Sequence, residues 1–327
     1  AAISFVKERF ERYLRDDLNL IKVSSPIAVL DGKGINDSLN GVERPVSFPI
    51  KSLGEQRAQV VHSLAKWKRV RLSNFKVMSG HGIITNMHAL RPDEEYTNIH
   101  SIYVDQWDWE QVISKEERTL PVLKERVKII YSALKNTGEE LALQYPEYRD
   151  TLSLPNEIKF IHSQQLLEMY PTLSAKERER EAAKRFGAIF IIGIGAKLTN
   201  GEAHDGRAPD YDDWSSMNEE GFQGLNGDII VWHPVLKCAL ELSSMGVRVD
   251  GETLKRQLDI RGCGNWCSLQ FHSMLLNGAL PQSIGGGIGQ SRVCMLLLGK
   301  KHIGEVQVGI WSDEQRNSMT LEGVELL

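Results

Sequence analysis

A glycine run near the end of the chain combines a bare backbone with a cation. Residues 285–289 read Gly-Gly-Gly-Ile-Gly, and Arg292 follows three positions later. Glycines remove the side chains that would hold a ligand away from the backbone. The apolar run 293–298 predicts a buried helix that brings the Arg292 guanidinium over those glycines, where it suits the base or the phosphates of a nucleotide. The same run is also typical of a loop or a tight packing site, and it matches neither a P-loop nor a dinucleotide fingerprint.

Two acidic residues on adjacent segments are candidate metal ligands. Segments 226–232 and 239–248 are predicted to be neighbouring antiparallel strands. If they pair, Asp228 and Glu241 could lie on one face of the sheet. Two carboxylates that face one space bind a hard divalent cation such as Mg²⁺, which normally brings phosphates with it. The alternative is that both are surface carboxylates.

A third candidate site lies on a strand predicted over residues 101–110. Period-2 alternation sends Gln106 and Asp108 to one face and Trp107 and Trp109 to the other. An amide and a carboxylate in line on one face suit a polar pocket. The alternative is a strand whose polar face meets solvent.

A cluster of basic residues follows the strand end predicted near residue 60. Ser63 is predicted to cap a helix, and Lys66, Lys68 and Arg69 lie in its first turns. These cations either form a solvated face or bind an anion near the helix start.

Composition limits the class of protein. The chain has 327 residues, 41% of them hydrophobic and 25% charged, which is typical of a globular protein with a large core. A net charge of −4 disfavours a nucleic acid as the main partner.

Four cysteines are too few for a disulfide scaffold and favour a reducing, cytoplasmic setting. Cys263, Cys267 and His272 have a metal-like spacing but lack a fourth ligand. No run of 18 apolar residues and no signal peptide is visible, so no membrane partner is expected.

The remaining periodicities predict the supporting elements. A helix is predicted over 3–18, followed by a strand over 20–29 in which Pro26 indicates a sheet edge or contact with a partner chain. A polar loop, 32–41, could cover a site. Further elements are predicted as helix 123–145, strand 158–162, a helix to Phe186 opened by the capping box Ser174-x-x-Glu177, and buried strand 188–195.

In order along the chain, these features resemble the three signature motifs of class II aminoacyl-tRNA synthetase catalytic domains. The first motif is a helix and a strand with Pro26, at a dimer interface. The second supplies an arginine to the α-phosphate, here Arg91, which is held extended by the following proline. The third is the glycine run that ends in Arg292.

Longer runs are similar to the aspartate–ammonia ligase family, the ammonia-dependent asparagine synthetases. The resemblance covers nearly the whole chain apart from about 112–155 and 251–275, so Cys263, Cys267 and His272 inherit no family role. It implies an α+β fold, a class II synthetase-like antiparallel β-sheet flanked by helices, as a single catalytic domain over 1–327 without an anticodon-binding domain, in a homodimer. The runs that resemble the family are 62–69, 89–94, 103–110, 207–214, 241–246 and the glycine run.

The resemblance also implies a reaction and roles. L-Aspartate and ATP would give β-aspartyl adenylate, and ammonia would then yield asparagine and AMP. Lys68 would pair with the α-carboxylate and Asp108 with the α-ammonium of aspartate. Arg91 would bridge the side-chain carboxylate and the α-phosphate, and Gln106 would hold the β-carbonyl oxygen. Lys68 and Asp108 would thus fix aspartate at two points, which is catalysis by positioning. Arg91 would offset the negative charge that builds up on the α-phosphate during attack.

The resemblance assigns the remaining site residues less specifically. Mg²⁺ on Asp228 and Glu241 would neutralise the departing pyrophosphate. Arg292 would cover the adenine or the γ-phosphate. Ammonium must lose a proton before it attacks, and Asp37 is the candidate acceptor. Other positions that match the family's site are Ser63, Ser244 and Arg248 for the substrate and Arg207, Asp212, Gly287 and Gly289 for the nucleotide.

Two other classes of protein remain open. An aspartyl- or asparaginyl-tRNA synthetase core would carry a β-barrel ahead of the first motif, whereas here that motif begins almost at residue 1. The net negative charge of the chain also fits a tRNA-binding surface poorly. A non-catalytic binding paralogue usually loses the second-motif arginine or the metal carboxylates. Arg91, Asp228, Glu241 and Arg292 are all present.

Overall fold

A large twisted sheet forms the centre of the molecule. The computed structural model describes residues 1–37, 43–149, 151 and 154–327. Eight strands pair in the order β1-β5-β6-β11-β10-β9-β8-β7, and a separate antiparallel sheet has the order β2-β4-β3. The eleven strands described are β1 Leu20–Lys22, β2 Ala28–Leu30, β3 Ser47–Ile50, β4 Gln56–Val60, β5 Gly82–Leu90, β6 Tyr103–Val112, β7 Lys159–His162, β8 Ala188–Ile192, β9 Asn226–His233, β10 Cys238–Val247 and β11 Ser283–Gly289.

Strand direction in the large sheet confirms the predicted class. The six strands from β5 to β8 in sheet order pair antiparallel, and β1 and β7 join parallel at the two edges. Helices flank this sheet, so the fold is α+β. In the parts of the chain that are described, no helix is both long and apolar enough to cross a lipid bilayer. The helices are α1 Ala2–Asp17, α2 Ala65–Asn74, α3 Leu120–Gln144, α4 Ser163–Met169, α5 Ala175–Phe186, α6 Gly251–Arg261, α7 Gln270–Leu276, α8 Gln290–Leu297 and α9 Asp313–Leu321.

The main core fills the space between one face of the sheet and helices α1, α3 and α8. Phe10 on α1 packs against Trp107 of β6 with the ring centroids 4.8 Å apart and the ring planes tilted by 47°, and Trp109 lies fully buried in the same cluster. The predicted face of β6 that carries Trp107 and Trp109 is therefore the core face. Because side chains alternate along a strand, Gln106 and Asp108 must point to the opposite side of the sheet.

Local signals placed most of the elements correctly. The capping box of α5 is present: Ser174 N donates to Glu177 Oε2 at 2.8 Å, and Glu177 N donates to Ser174 Oγ. Strands β9 and β10 pair antiparallel as predicted, and helix α8 follows the glycine run. Helices α1 and α3 and strands β7 and β8 also match their predicted segments to within a few residues.

Two predictions about the first part of the chain are wrong. Segment 20–29 is two short strands in different sheets, because Pro26 cannot donate to a ladder. Strand β1 is at the sheet edge, as Pro26 indicated. Ser63 does not cap α2, since the N-cap residue is Leu64. Of the predicted covering loop, 32–37 is described and 38–41 lie outside the described residues.

Candidate active site

One cavity of about 620 Å³ opens over the face of β6, β9, β10 and β11 opposite the main core. All of the predicted site residues line it except Asp37. The lining residues that the sequence predicted are Ser63, Lys68, Arg91, Gln106, Asp108, Arg207, Asp212, Asp228, Glu241, Ser244, Arg248, Gly287, Gly289 and Arg292. The sheet thus brings together segments that are up to about 230 residues apart in sequence.

The glycine run is a central strand rather than a loop. Strand β11 pairs with β6, where Gly287 lies opposite Asp108 and Gly289 opposite Gln106. A Cβ atom on Gly287 would stand 2.5 Å from Gln106 Oε1, closer than real Cβ atoms come to such an atom. The glycines are therefore needed so that the polar side chains of β6 can lie flat over the neighbouring strand.

A buried ion pair forms the floor of the cavity. Lys68 Nζ donates to Asp108 Oδ1 at 2.5 Å and to the carbonyl oxygens of Trp109 and Gly286 at 3.0 Å each. All three ammonium protons of Lys68 therefore have protein acceptors. Asp108 Oδ2 is buried and has no hydrogen-bond partner within the described chain. This oxygen is a free acceptor for a cationic group.

The basic residues at the start of α2 are buried, so the alternative of a solvated face is wrong. Lys66, Lys68 and Arg69 have exposed fractions of 2% or less. Arg69 donates to the carbonyl oxygens of Pro281 and Val249, and burial lowers its pKa to about 9. Arg69 thus supports the wall of the cavity and does not face it.

Two arginines face the other end of the cavity. Arg91 follows β5 and makes one long bond of 3.3 Å, from Nη2 to His62 O, while its buried Nε has no partner among the residues described. Arg292 lies on the first turn of α8 and donates from Nη1 to Glu241 O at 2.9 Å. Burial lowers the pKa of Arg91 and the positive charge of Arg292 adds to this, with Glu94 acting the other way. Two neighbouring cations with spare donors make an anion site.

The two predicted metal ligands lie on neighbouring strands. Asp228 on β9 is opposite Ser244, and Glu241 on β10 is opposite Ile230. A bulge between Glu241 and Ser243 shifts the register, so that Glu241 and Ser244 point to one face although they are three residues apart. Burial, helped by the charge of Glu241, raises the pKa of Asp228 to about 6 although Arg207 opposes the shift. Asp228 is therefore not a surface carboxylate.

Two more arginines on the cavity wall, Arg207 and Arg248, form ion pairs with neighbouring carboxylates. Arg207 donates to Asp228 Oδ1 at 2.6 Å and to Ser244 Oγ at 2.5 Å. Arg248 donates to Glu110 at 2.8–3.1 Å and to Asp212 Oδ1 at 2.5 Å. Burial alone would lower the pKa of Arg248, but these two carboxylates raise it. Their charge therefore balances a permanently cationic Arg248.

Asp37 lies behind the cavity wall, one hydrogen bond away from the cavity. Its carboxylate has an exposed fraction of 1%. Oδ2 accepts from Ser63 Oγ at 2.5 Å and from the backbone N–H of Ala65, the first residue of α2, at 2.9 Å. Burial raises the pKa of Asp37, although Lys66 and Ser63 act against the rise. Ser63, which does line the cavity, is the connection between the two.

The structure adds lining residues that the sequence did not indicate. His100 lies between β5 and β6, and its Nδ1 forms a 2.7 Å hydrogen bond with Thr97 Oγ1. Burial and the charge of Arg292 lower the pKa of His100 to about 4, so its ring is neutral at pH 7. Tyr211, Arg44 and Gln307 also line the cavity. No spacing in the sequence distinguished these positions. Among the described residues no cluster of three metal-ligating side chains exists, and His272 bonds to Asp210 instead of joining Cys263 and Cys267.

Comparison with known sequences supports one family over the whole chain. A family model for aspartate–ammonia ligases matches residues 1–323. An aspartate–ammonia ligase of Parabacteroides distasonis is 54% identical over 325 residues, covering 99% of this chain and 94% of that protein. An aspartate–ammonia ligase of Clostridium perfringens is 51% identical over 326 residues, covering 100% and 94% respectively.

Solved structures with the same fold are aminoacyl-tRNA synthetases. Asparaginyl-tRNA synthetase from Pyrococcus horikoshii, complexed with asparaginyl-adenylate, superposes with a TM-score of 0.69 at 16% identity, covering 94% of this chain and 67% of that one. Aspartyl-tRNA synthetase from Entamoeba histolytica gives a TM-score of 0.63 at 13% identity, covering 94% and 56%. At these identities the likeness concerns the fold alone, the class II synthetase catalytic fold. The family model and the sequence relatives show that this chain belongs to the aspartate–ammonia ligase family.

Proposed function

We propose that this protein makes L-asparagine from L-aspartate, ammonia and ATP through a β-aspartyl adenylate, releasing AMP and pyrophosphate. The observation that carries the proposal is a single cavity with a free buried carboxylate oxygen on Asp108 at one end and two adjacent cations, Arg91 and Arg292, at the other. An amino acid held by its ammonium at the first end presents its side chain to a phosphate held at the second.

Aspartate binds at the floor. Asp108 Oδ2 accepts from the α-ammonium, and Lys68 provides the positive charge beside it. Because the three protons of Lys68 already have acceptors, an α-carboxylate reaches this ammonium by replacing one of its carbonyl partners. Gln106 lies on the same face two residues away and donates from its amide to the β-carboxylate, which keeps that group directed toward the nucleotide.

ATP lies along the arginine end. Arg91 contacts both the aspartate β-carboxylate and the α-phosphate, where negative charge increases on the attacked phosphorus oxygens. Arg292 covers the base or the γ-phosphate. Gly287 and Gly289 keep the strand backbone free of side chains beneath Gln106 and Arg292, whose side chains lie against these glycines. The aspartate oxygen forms a bond to the α-phosphorus, the bond to the bridging oxygen breaks, and pyrophosphate leaves with that electron pair.

The carboxylates of Asp228 and Glu241 fit one Mg²⁺. They lie on one face of adjacent strands, and the rise in the pKa of Asp228 that Glu241 assists is the repulsion a shared cation would remove. Arg207 donates to Asp228 Oδ1 at 2.6 Å. With only two protein carboxylates, the remaining ligands would be phosphate oxygens and water. When bound, Mg²⁺ neutralises the pyrophosphate leaving group.

In the second step ammonia attacks the adenylate. Ammonium at the cavity wall gives a proton to Ser63 Oγ as Ser63 passes its own proton to Asp37. The nitrogen lone pair then forms the C–N bond with the β-carbonyl carbon, and the bond to the AMP oxygen breaks with its electrons on AMP. A second proton leaves the nitrogen for water. The pKa of Asp37, raised mainly by burial, supports its role as proton acceptor.

The active form is a homodimer in the cytoplasm. Ile21 on β1, the edge strand of the large sheet, and Ile27, which follows Pro26 and precedes β2, have exposed fractions of 63% and 68%. Exposed apolar side chains beside an open strand edge support contact with a second copy of the chain. Four cysteines in 327 residues are too few for a disulfide scaffold, which supports a reducing compartment.

Product analysis tests this function. Purified protein is incubated with aspartate, ATP, Mg²⁺ and ammonium, and the products are assayed. We expect AMP and asparagine in equal amounts, with no asparagine when ammonium is left out. ADP and phosphate would reject the adenylate route, and charging of tRNA with aspartate or asparagine would indicate a synthetase instead.

A further inference from the structure

A buried charge cluster lies next to Asp37 and has no role in the reaction described so far. Lys66, Asp210 and His272 come from α2, the loop before β9 and α7, and each has an exposed fraction of 2% or less. Lys66 Nζ donates to Asp210 Oδ2 at 2.7 Å, and His272 Nε2 lies 2.9 Å from the same oxygen. None of the three lines the cavity. Buried charges are costly, so their retention calls for a reason.

Lys66 lies between the carboxylates of Asp37 and Asp210 but donates a hydrogen bond only to Asp210. Its Nζ is at hydrogen-bond distance from Asp210 and 3.8 Å from Asp37 Oδ1, an oxygen with no hydrogen-bond partner in the described chain. Burial alone would raise the pKa of Asp210, but Lys66 and His272 hold it at about 2. Asp210 is therefore always an anion at neutral pH and competes with Asp37 for the same ammonium group.

His272 also joins the cluster to the segment that carries Asp37. Gly34, three residues before Asp37, packs on the ring so closely that a Cβ atom there would lie 2.9 Å from His272 Nδ1. Gly34 has φ = +67°, which a side chain would strain as well. The backbone N–H of Phe271 donates to Lys33 O at 3.2 Å. Helix α7 thus fixes both Asp210 and the backbone that leads to Asp37.

We infer that Lys66, Asp210 and His272 are positioning residues that keep Asp37 able to accept a proton from ammonium, by holding the Lys66 ammonium on Asp210 and away from Asp37. This inference rests on the proposed function. Without Asp210, Lys66 pairs with Asp37 and favours its ionised form, and the negative charge of Asp210 no longer disfavours that form. Both effects lower the pKa of Asp37 and weaken it as a base. The titratable groups facing Asp37 are Lys66, Asp210, Tyr211 and His62, with His272 behind Asp210.

Two nitrogen sources, ammonium and hydroxylamine, distinguish an effect of the cluster on the basicity of Asp37 from a purely structural role. Ammonium must lose a proton before attack, whereas hydroxylamine is mostly neutral at neutral pH and attacks the adenylate directly. The full-length protein is assayed for aspartate-dependent pyrophosphate–ATP exchange, for asparagine formation from ammonium and for β-aspartyl hydroxamate formation from hydroxylamine. The variants are Asp210→Asn and His272→Gln.

For Asp210→Asn we expect kcat/KM for ammonium to fall about tenfold or more, and the acid limb of its pH profile to move about one unit lower. Exchange and hydroxamate formation should stay within about twofold of wild type, since neither needs Asp37 to remove a proton. His272→Gln leaves both charges in place and should give a smaller shift in the same direction. Thermal unfolding shows whether each variant is folded. If Asp210→Asn is not folded, the result with His272→Gln tests the inference.

A matched control is His233→Gln, which changes a buried histidine whose Nδ1 accepts from the Leu236 N–H at 3.2 Å. It should leave the ratio of ammonium to hydroxylamine activity unchanged. Equal losses with both nucleophiles in the cluster variants, or an unshifted pH profile in folded Asp210→Asn, would overturn the inference alone. A wild-type protein that makes no asparagine would overturn the proposed function and this inference together.

Discussion

Asp108 shares only one of its two oxygens with Lys68. Oδ1 accepts from Lys68 Nζ at 2.5 Å, and Oδ2, also buried, has no partner among the described residues. A buried carboxylate with one oxygen left open costs free energy in the empty protein. A substrate ammonium removes that cost when it binds, so the pair gives the cavity a preference for amino acids.

The first prediction concerns this open oxygen. Asp108→Asn keeps the shape of the side chain and removes its charge. We expect kcat/KM for aspartate in pyrophosphate–ATP exchange to fall about ten- to hundredfold, since a hydrogen bond to a charged group contributes about 1.5–3 kcal/mol. The exposed Asp17→Asn is the control and should behave as wild type. Unchanged aspartate kinetics in Asp108→Asn would remove Asp108 from the binding site.

The second prediction concerns the glycine strand. In Gly287→Ala the new Cβ atom meets Gln106 Oε1 at 2.5 Å and displaces the amide. We expect aspartate activation to fall about tenfold or more, because misplacing a positioning group by about 1 Å is enough to cost this much. Gly251→Ala, where the nearest atom is 3.9 Å away, should be neutral. Exchange assays on both variants, with thermal unfolding alongside, separate lost positioning from lost stability.

The third prediction concerns Arg91. Lysine cannot reproduce the forked contact to a carboxylate and a phosphate, so Arg91→Lys should lower kcat for exchange by about a hundredfold. Binding of aspartate alone, measured by calorimetry, should weaken much less than kcat falls, because Arg91 contacts only the β-carboxylate whereas Lys68 and Asp108 hold the α-groups of aspartate. The exposed Arg57→Lys serves as control. Near wild-type kcat in Arg91→Lys would assign the α-phosphate to another residue.

The fourth prediction concerns pH and metal. Asp228 must be ionised to bind Mg²⁺, and its pKa is raised to about 6 mainly by burial. Protons therefore compete with the metal: the Mg²⁺ concentration for half-maximal exchange should rise as pH falls through about 6. Above that pH it should level off. Titrating Mg²⁺ across a pH series tests this, and Asp228→Asn should abolish the pH dependence together with most of the activity.

The fifth prediction concerns assembly. Ile27→Lys places a charge on the exposed apolar side chain that follows Pro26 and should shift the protein from dimer to monomer in sedimentation velocity. Ile260→Lys is a matched control, since Ile260 on α6 is 58% exposed and lies on a different element. A dimer that survives Ile27→Lys would place the interface elsewhere on the chain.

Which elements form, and which faces of β6 are polar, followed from the sequence because those patterns are local. The alternation of Gln106 and Asp108 with Trp107 and Trp109 depends only on strand geometry, and the capping box at Ser174 only on four consecutive residues. The runs that resemble the ligase family contain most of the predicted residues that line the cavity. The single-domain assignment over 1–327 stays a prediction.

Tertiary structure alone decided what depends on residues distant in the chain. The glycine run is a strand because β6 and β10 pair with it, and the bulge in β10 turns Glu241 to the face of Asp228. Asp37 lies behind Ser63, and Lys66 is held by Asp210, 144 positions later. Such contacts are set by packing and burial, and no local period or spacing encodes them.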